Sequence, residues 1–157
     1  MRQVLSLLVV VALAACGPAE QSKSGAPAAP AQTQARSAAE TAAAIAALPA
    51  PYNQANYDAG RRVFAQCRSC HTIDAGAPNR VGPNLHGVFG REIGSIEGFT
   101  YSQAVRDADF AWDAAQLDHW LANPQTFLPG NRMAFVGVRD ETQRRDLIAY
   151  LMVETGD

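Results

Sequence analysis

The chain has 157 residues and a formal net charge of −2, which suits one modest domain with additional segments. So balanced a charge leaves no electrostatic footprint for nucleic acid. The three cysteines, Cys16, Cys67 and Cys70, are an odd number for a disulfide framework, and each has another assignment below.

Arg2 precedes an apolar run from Val4 to Ala15, broken only by Ser6. About a dozen residues cannot span a bilayer but match a signal-peptide h-region. The run ends Leu13-Ala14-Ala15-Cys16, and small residues before a cleavage point are the general secretory pattern. Residues 1–15 are therefore expected to be a signal peptide. A cysteine directly after the cut resembles a bacterial lipoprotein box. That resemblance implies that Cys16 becomes the new N-terminus and carries the lipid. The alternative is an ordinary signal with a chance cysteine beside it. A lone thiol is a liability in an oxidising compartment, which favours the lipid. The expected location is the periplasmic side of a bacterial membrane, with the inner membrane favoured over the outer.

Residues 16–51 read as the anchor cysteine and a tether. Gly17 to Pro51 is alanine-rich, carries Pro18, Pro27, Pro30, Pro49 and Pro51, and has almost no large apolar residue. Such a segment buries too little surface to offset its ordering entropy and is expected to be mostly disordered. One piece has helix signals. Ser37-Ala38-Ala39-Glu40 is a capping-box pattern, followed by alanines to Leu48 and stopped by Pro49. A solitary helix of about twelve residues is marginal in water.

Residues 52–157 read as the globular domain, all-α. Asn53 is the expected cap of a helix running into Cys67, with Tyr57, Gly60, Phe64 and Cys67 on its buried stripe. Glycine inside a helix costs about 1 kcal/mol relative to alanine, so Gly60 implies a close crossing by another helix. The next segment is Cys67-Arg68-Ser69-Cys70-His71. Two thiols three positions apart with a histidine directly after the second form the c-type haem attachment signature. A redox dithiol or half of a zinc site shares the bare C-x-x-C. Further on, a short helix is expected near Ser102–Asp107. Another runs from Asp113 to Ala122, presenting Leu117, Trp120 and Leu121 and stopping before Pro124. Asp140, with Gln143 three residues later, opens a last helix with Leu147, Tyr150 and Leu151 on one stripe and Gly156 past its end. No strand-length alternating run is present. So small a core is marginal by itself, and a bound haem supplies apolar volume.

Taken together, CRSCH at 67–71, GPNLHGVFGR at 82–91, GFTYS at 98–102, Trp112, LANPQTFLPGNRM at 121–133 and DLIAYL at 146–151 resemble class I cytochromes c of the mitochondrial and bacterial c2 type. The resemblance implies an all-α fold wrapped around one covalent haem c, bound by Cys67 and Cys70, with His71 and Met133 as axial metal ligands. A neutral imidazole and a soft thioether suit haem iron, and thioether ligation raises its potential. The resemblance further implies that the Pro83 carbonyl accepts the other ring N–H of His71. It also implies that Tyr101 and Trp112, with Arg91 close by, bind a buried propionate. His86 is expected to pin a loop, and His119 to lie on a helix surface. The chain departs from the family pattern at Trp120, Val105 and Asn131. The lysine ring of the mitochondrial proteins is missing. From Tyr52 onward ten arginines face thirteen acidic residues, leaving Arg61, Arg62, Arg68, Arg80 and Arg132 for a local basic rim.

The function implied is one-electron transfer and no catalysis, since both axial sites are filled. Expected partners are membrane redox complexes such as a quinol–cytochrome c oxidoreductase and a terminal oxidase, with the carrier a monomer. Two alternatives stand beside it. One is a dedicated electron-accepting subunit of one dehydrogenase or reductase. The other is a haem enzyme or gas sensor in which Met133 is labile.

Overall fold

A computed structural model describes residues 36–156. The expected signal segment 1–15, Cys16 and the tether up to residue 35 lie outside the described residues. The elements are α1 (Ala38–Ala46), a 3-10 turn (Tyr52–Gln54), α2 (Tyr57–Phe64), α3 (Gln103–Asp107), α4 (Ala114–Ala122), α5 (Pro124–Phe127) and α6 (Glu141–Thr155). Among the described residues, β pairing is limited to one isolated antiparallel bridge between Glu92 and Ala111.

Side-chain caps set the helix starts. Asp113 and Asp140 accept from the amides of Gln116 and Gln143 at 2.7 and 2.8 Å, and Ser102 accepts from Val105 at 3.4 Å. Each satisfies a backbone donor that the first helical turn leaves unpaired. The α2 cap differs from expectation. Asn53 lies in the 3-10 turn, and Asn56 caps the helix by accepting from Ala59 at 2.9 Å. The Asn56 amide is itself held by the Asp146 carboxylate at 3.1 Å, so tertiary contact selects between two chemically equal asparagines. Pro124 ends α4 as expected, yet it also begins α5. A proline at the first helical position has no amide to waste, and Asn123 caps the turn by accepting from Thr126 at 3.2 Å.

α2 and α6 cross at Gly60. A Cβ placed there would lie 2.1 Å from the Asp146 carbonyl oxygen and 2.8 Å from the Tyr150 Cβ. The backbones touch, and the aromatic rings of Tyr57 and Phe64 pack on Tyr150 at centroid distances of 5.2 and 5.3 Å. Leu147, Tyr150 and Leu151 are buried as the stripe implies, but so are Ile148, Ala149 and Val153. α6 is enclosed on more than one face.

The additional cover is α1. The stretch read as the end of a tether forms a helix with the capping box in place, and Ile45 packs on Ala149 and Val153. Arg36 Nη1 donates to the Val153 carbonyl and the Glu154 carboxylate, each at 2.8 Å, and the Tyr57 hydroxyl donates to the same carboxylate at 2.8 Å. Among the described residues, packing onto α6 extends N-terminal of Tyr52 as far as Arg36. A lone helix of this length is marginal, and burial of its one large apolar side chain supplies what propensity does not.

Gly60→Ala, which in an open helix would stabilise by about 1 kcal/mol, is expected to destabilise by about 1–3 kcal/mol here, the usual cost of overpacking. A denaturant midpoint at or above that of the parent holoprotein would contradict the crossing.

Candidate functional site

Beyond Phe64 the α-helix tightens into turns closed by bonds from Gln66 to Val63 and from Cys67 to Phe64, at 3.2 and 2.8 Å. The amides of Cys70 and His71 both bond the Cys67 carbonyl, at 3.0 and 2.9 Å. This coil brings Cys67, Cys70 and His71 to one wall of a cavity of about 800 Å³, within the size range of small-molecule and cofactor sites.

The His71 ring is fixed from two sides. Nδ1 lies 2.7 Å from the Pro83 carbonyl oxygen, which accepts the Nδ1 proton and leaves Nε2 with a free lone pair. Gly82 lies against the ring: a Cβ there would come within 2.3 Å of Cε1 and 2.7 Å of Nε2. Burial holds the imidazole pKa below its usual value, opposed by the bond to Pro83. The ring is therefore neutral at pH 7, the form that donates electrons to a metal. Burial pushes the Cys67 thiol up to about 11, the reverse of the depressed thiol of a redox dithiol. Among the described residues no group of three His, Cys, Asp or Glu is placed to hold a metal ion.

The remaining walls are mostly apolar. Val88, Leu117, Leu121 and Leu147 line the cavity and are buried. Met133 lines it too, from the loop between α5 and α6. Its amide donates to Asn131 Oδ1 at 2.9 Å, and its carbonyl accepts from Gln125 at 3.0 Å. All three positions that depart from the family pattern, Val105, Trp120 and Asn131, also line the cavity.

Arg91, Tyr101 and Trp112 gather at the same cavity. The Arg91 guanidinium donates to the carbonyls of His86 and Asn84 at 2.8 and 3.1 Å. Burial lowers the Arg91 pKa and raises that of Tyr101; the guanidinium stays charged and the phenol stays protonated at pH 7. Trp112 stacks edge-on with Trp120 at 5.4 Å. His86 is held through its backbone, its amide donating to Asn84 Oδ1 at 2.6 Å, while His119 is exposed on α4.

Sequence reasoning missed the burial of two asparagines, one of which, Asn131, it marked only as a departure from the family pattern. Asn84 is buried, and its amide nitrogen lies 2.8–2.9 Å from Thr72 Oγ1 and the carbonyls of Asp74 and Ala77, tying the segment after His71 to the one after Pro83. Asn131 is the second. Both asparagines sit beside glycine or proline, where sequence alone suggests a turn residue and gives no sign of burial.

Gly82→Ala is expected to push the imidazole off its Pro83 bond and cost about 1–3 kcal/mol of holoprotein stability. An unchanged melting temperature, with an unshifted ring resonance for His71, would show that the close approach is not obligatory.

The family model described as cytochrome c matches residues 57–153. Cytochrome c of Kluyveromyces lactis is 41% identical over 106 residues, covering 67% of this chain and 96% of that one. Cytochrome c2 of Blastochloris viridis is 43% identical over 107 residues, covering 68% and 84%, and cytochrome c-550 of Ancylobacter novellus is 43% identical over 101 residues, covering 62% and 94%. With its all-helical architecture and this cavity, the chain belongs to the cytochrome c family: it is an electron carrier with one covalently attached haem c, and not an enzyme.

Proposed function

We propose that the protein is a membrane-tethered one-electron carrier in which Cys67 and Cys70 hold the haem, His71 and Met133 are its axial ligands, and Arg91, Tyr101 and Trp112 bind its carboxylates. The observation that carries this reading is the neutral, doubly fixed His71 ring facing the same cavity as the Met133 side chain. The residues present fit the group. The cavity has the volume and apolar lining for a large flat ring, two thiols for thioether bonds, and polar donors at one side for its acidic substituents. When bound, haem supplies a reversible one-electron couple.

The chain's own residues supply the rest. The Pro83 carbonyl holds the Nδ1 proton and so raises the basicity of Nε2. The buried leucines exclude water and limit reorganisation. Arg80 and Arg132, both exposed, line the cavity, and the Arg68 guanidinium sits 5.7 Å from the Phe64 ring centroid. Arg80 and Arg132 form the basic rim through which we infer contact with membrane redox complexes, such as a quinol–cytochrome c oxidoreductase and a terminal oxidase. Arg61 is instead paired with Asp58 on α2 at 3.0 Å.

On this reading Cys16 bears the lipid on the periplasmic side of a bacterial membrane. Between Cys16 and Arg36 lie 19 residues of the alanine- and proline-rich composition read above as a tether. Such a leash raises the effective concentration of carrier at neighbouring complexes without requiring tight affinity.

Met133→Ala is expected to keep the haem covalently attached while the midpoint potential falls by a sizeable fraction of the ~0.8 V range that axial ligands span. Redox titration with an unchanged midpoint would mean that another residue is the ligand. For the anchor, a cleavable signal fused directly ahead of Arg36 retains α1 and removes Cys16. That variant should be recovered as soluble periplasmic cytochrome with the visible bands of the full chain. If it still sediments with membranes after a high-salt wash, the anchor lies elsewhere.

A further inference from the structure

Met133 sits in a stretch of irregular backbone between α5 and α6, residues 128–140. Loops of this kind belong to the low-stability end of a protein, yet an axial ligand must hold one position in both oxidation states. The loop is held at both ends. At its far end the Val138 amide donates to the Leu121 carbonyl at 2.8 Å. Gly137 there approaches the Ala122 carbonyl so closely that a Cβ would lie 2.1 Å away. Arg144, buried and paired with Asp118 at 2.9 Å, donates to the carbonyls of Val138 and Arg139 at 3.0 and 2.9 Å.

At the near end Gln125 donates to the Met133 carbonyl at 3.0 Å, and most of the remaining bonds converge on one side chain. Asn131 is 7% exposed. Its Nδ2 donates to the carbonyls of Pro124 and Leu128, both at 2.8 Å. Its Oδ1 accepts from the Met133 amide at 2.9 Å and from Gln125 Nε2 at 3.2 Å. A carboxamide has two donor hydrogens and two acceptor lone pairs, and all four are used here. Every partner lies in α5 or in the loop itself. We propose that Asn131 is the positioning residue for the thioether ligand: it locks the Met133 backbone to α5 so that the side chain enters the cavity in one conformation. This rests on the reading of Met133 as an axial ligand. The chemistry is specific to asparagine. Serine or threonine keeps one donor, aspartate keeps the acceptor toward Met133 but loses both donors, and glutamine adds a methylene that overfills a buried slot.

The test uses oxidised holoprotein and imidazole as a competitor for the sixth position, followed by loss of the near-infrared methionine–iron band. Loss of one buried hydrogen bond shifts an equilibrium roughly tenfold. Asn131→Ala and Asn131→Asp should therefore bind imidazole at least about tenfold more tightly than wild type, with Asn131→Ser between. Gln125→Ala, which removes the bonds to Asn131 Oδ1 and to the Met133 carbonyl but leaves both Asn131 donors and the Met133 amide bond intact, should tighten imidazole binding by less than Asn131→Ala does. Wild-type imidazole affinity in folded Asn131→Ala would overturn the proposal. If the Asn131 variants do not accumulate as holoprotein, hydrogen exchange on the wild type decides. The Met133 amide should then exchange at least about tenfold more slowly than that of exposed Val136, as its one bond to Asn131 implies, and equal rates would overturn it. Absence of the methionine–iron band in the wild type itself would instead remove the ligand reading on which the proposal stands, an outcome distinct from a failure confined to the Asn131 variants.

Discussion

The backbone contact between α2 and α6 at Gly60 determines where the chemistry can be. With Gly60 pressed to the Asp146 carbonyl and Tyr150 enclosed by Tyr57 and Phe64, the C-terminal end of α2 has no freedom to swing. The coil that follows delivers Cys67, Cys70 and His71 to the cavity wall. On its other faces α6 contributes Leu147 and Leu151 to that cavity and Ala149 and Val153 to α1. One helix thus joins the cofactor side of the molecule to the segment leading toward the N-terminus.

A cavity of about 800 Å³ in so short a chain is costly, because its lining has no atoms to pack against. The haem that the family carries removes that cost, and it makes the cofactor part of the core. The polar groups around it are already arranged for a fixed guest. No buried side-chain nitrogen or oxygen among the described residues lacks a partner. Arg91 is held by two carbonyls, and the His71 tautomer is set by Pro83. Such preorganisation keeps structural change on oxidation small, as an electron carrier requires.

The surface differs from a lysine-ringed one. Arginines at 68, 80 and 132 are committed to contacts with their own chain: Arg80 donates to the Arg68 carbonyl at 2.8 Å, Arg132 donates to the Thr100 carbonyl, and Arg68 stands by Phe64. Planar, multidentate guanidinium groups suit such contacts better than the point charge of lysine. Val81, 81% exposed, lies beside Arg80 on the cavity lining, so the rim combines fixed charge with apolar area.

The helices, their caps at Asp113 and Asp140, the attachment motif and the candidate ligands were legible in the sequence. They rest on local rules: a side chain three residues from an amide, a spacing of two thiols, a periodic stripe. Gly60 belongs with them, since a glycine inside a helix is expensive enough to demand a reason. Tertiary structure decided the rest. It chose Asn56 over Asn53, because only Asn56 has Asp146 beside its amide. It folded Ala38–Ala46 onto α6, because Ile45 finds Ala149 and Val153 there, contacts about a hundred residues away in sequence that no local propensity encodes. It made buried hubs of Asn84 and Asn131, whose burial nothing local in the sequence announces. A carboxamide costs free energy to bury unless every donor and acceptor finds a partner, and the partners come from segments that only the folded chain brings together.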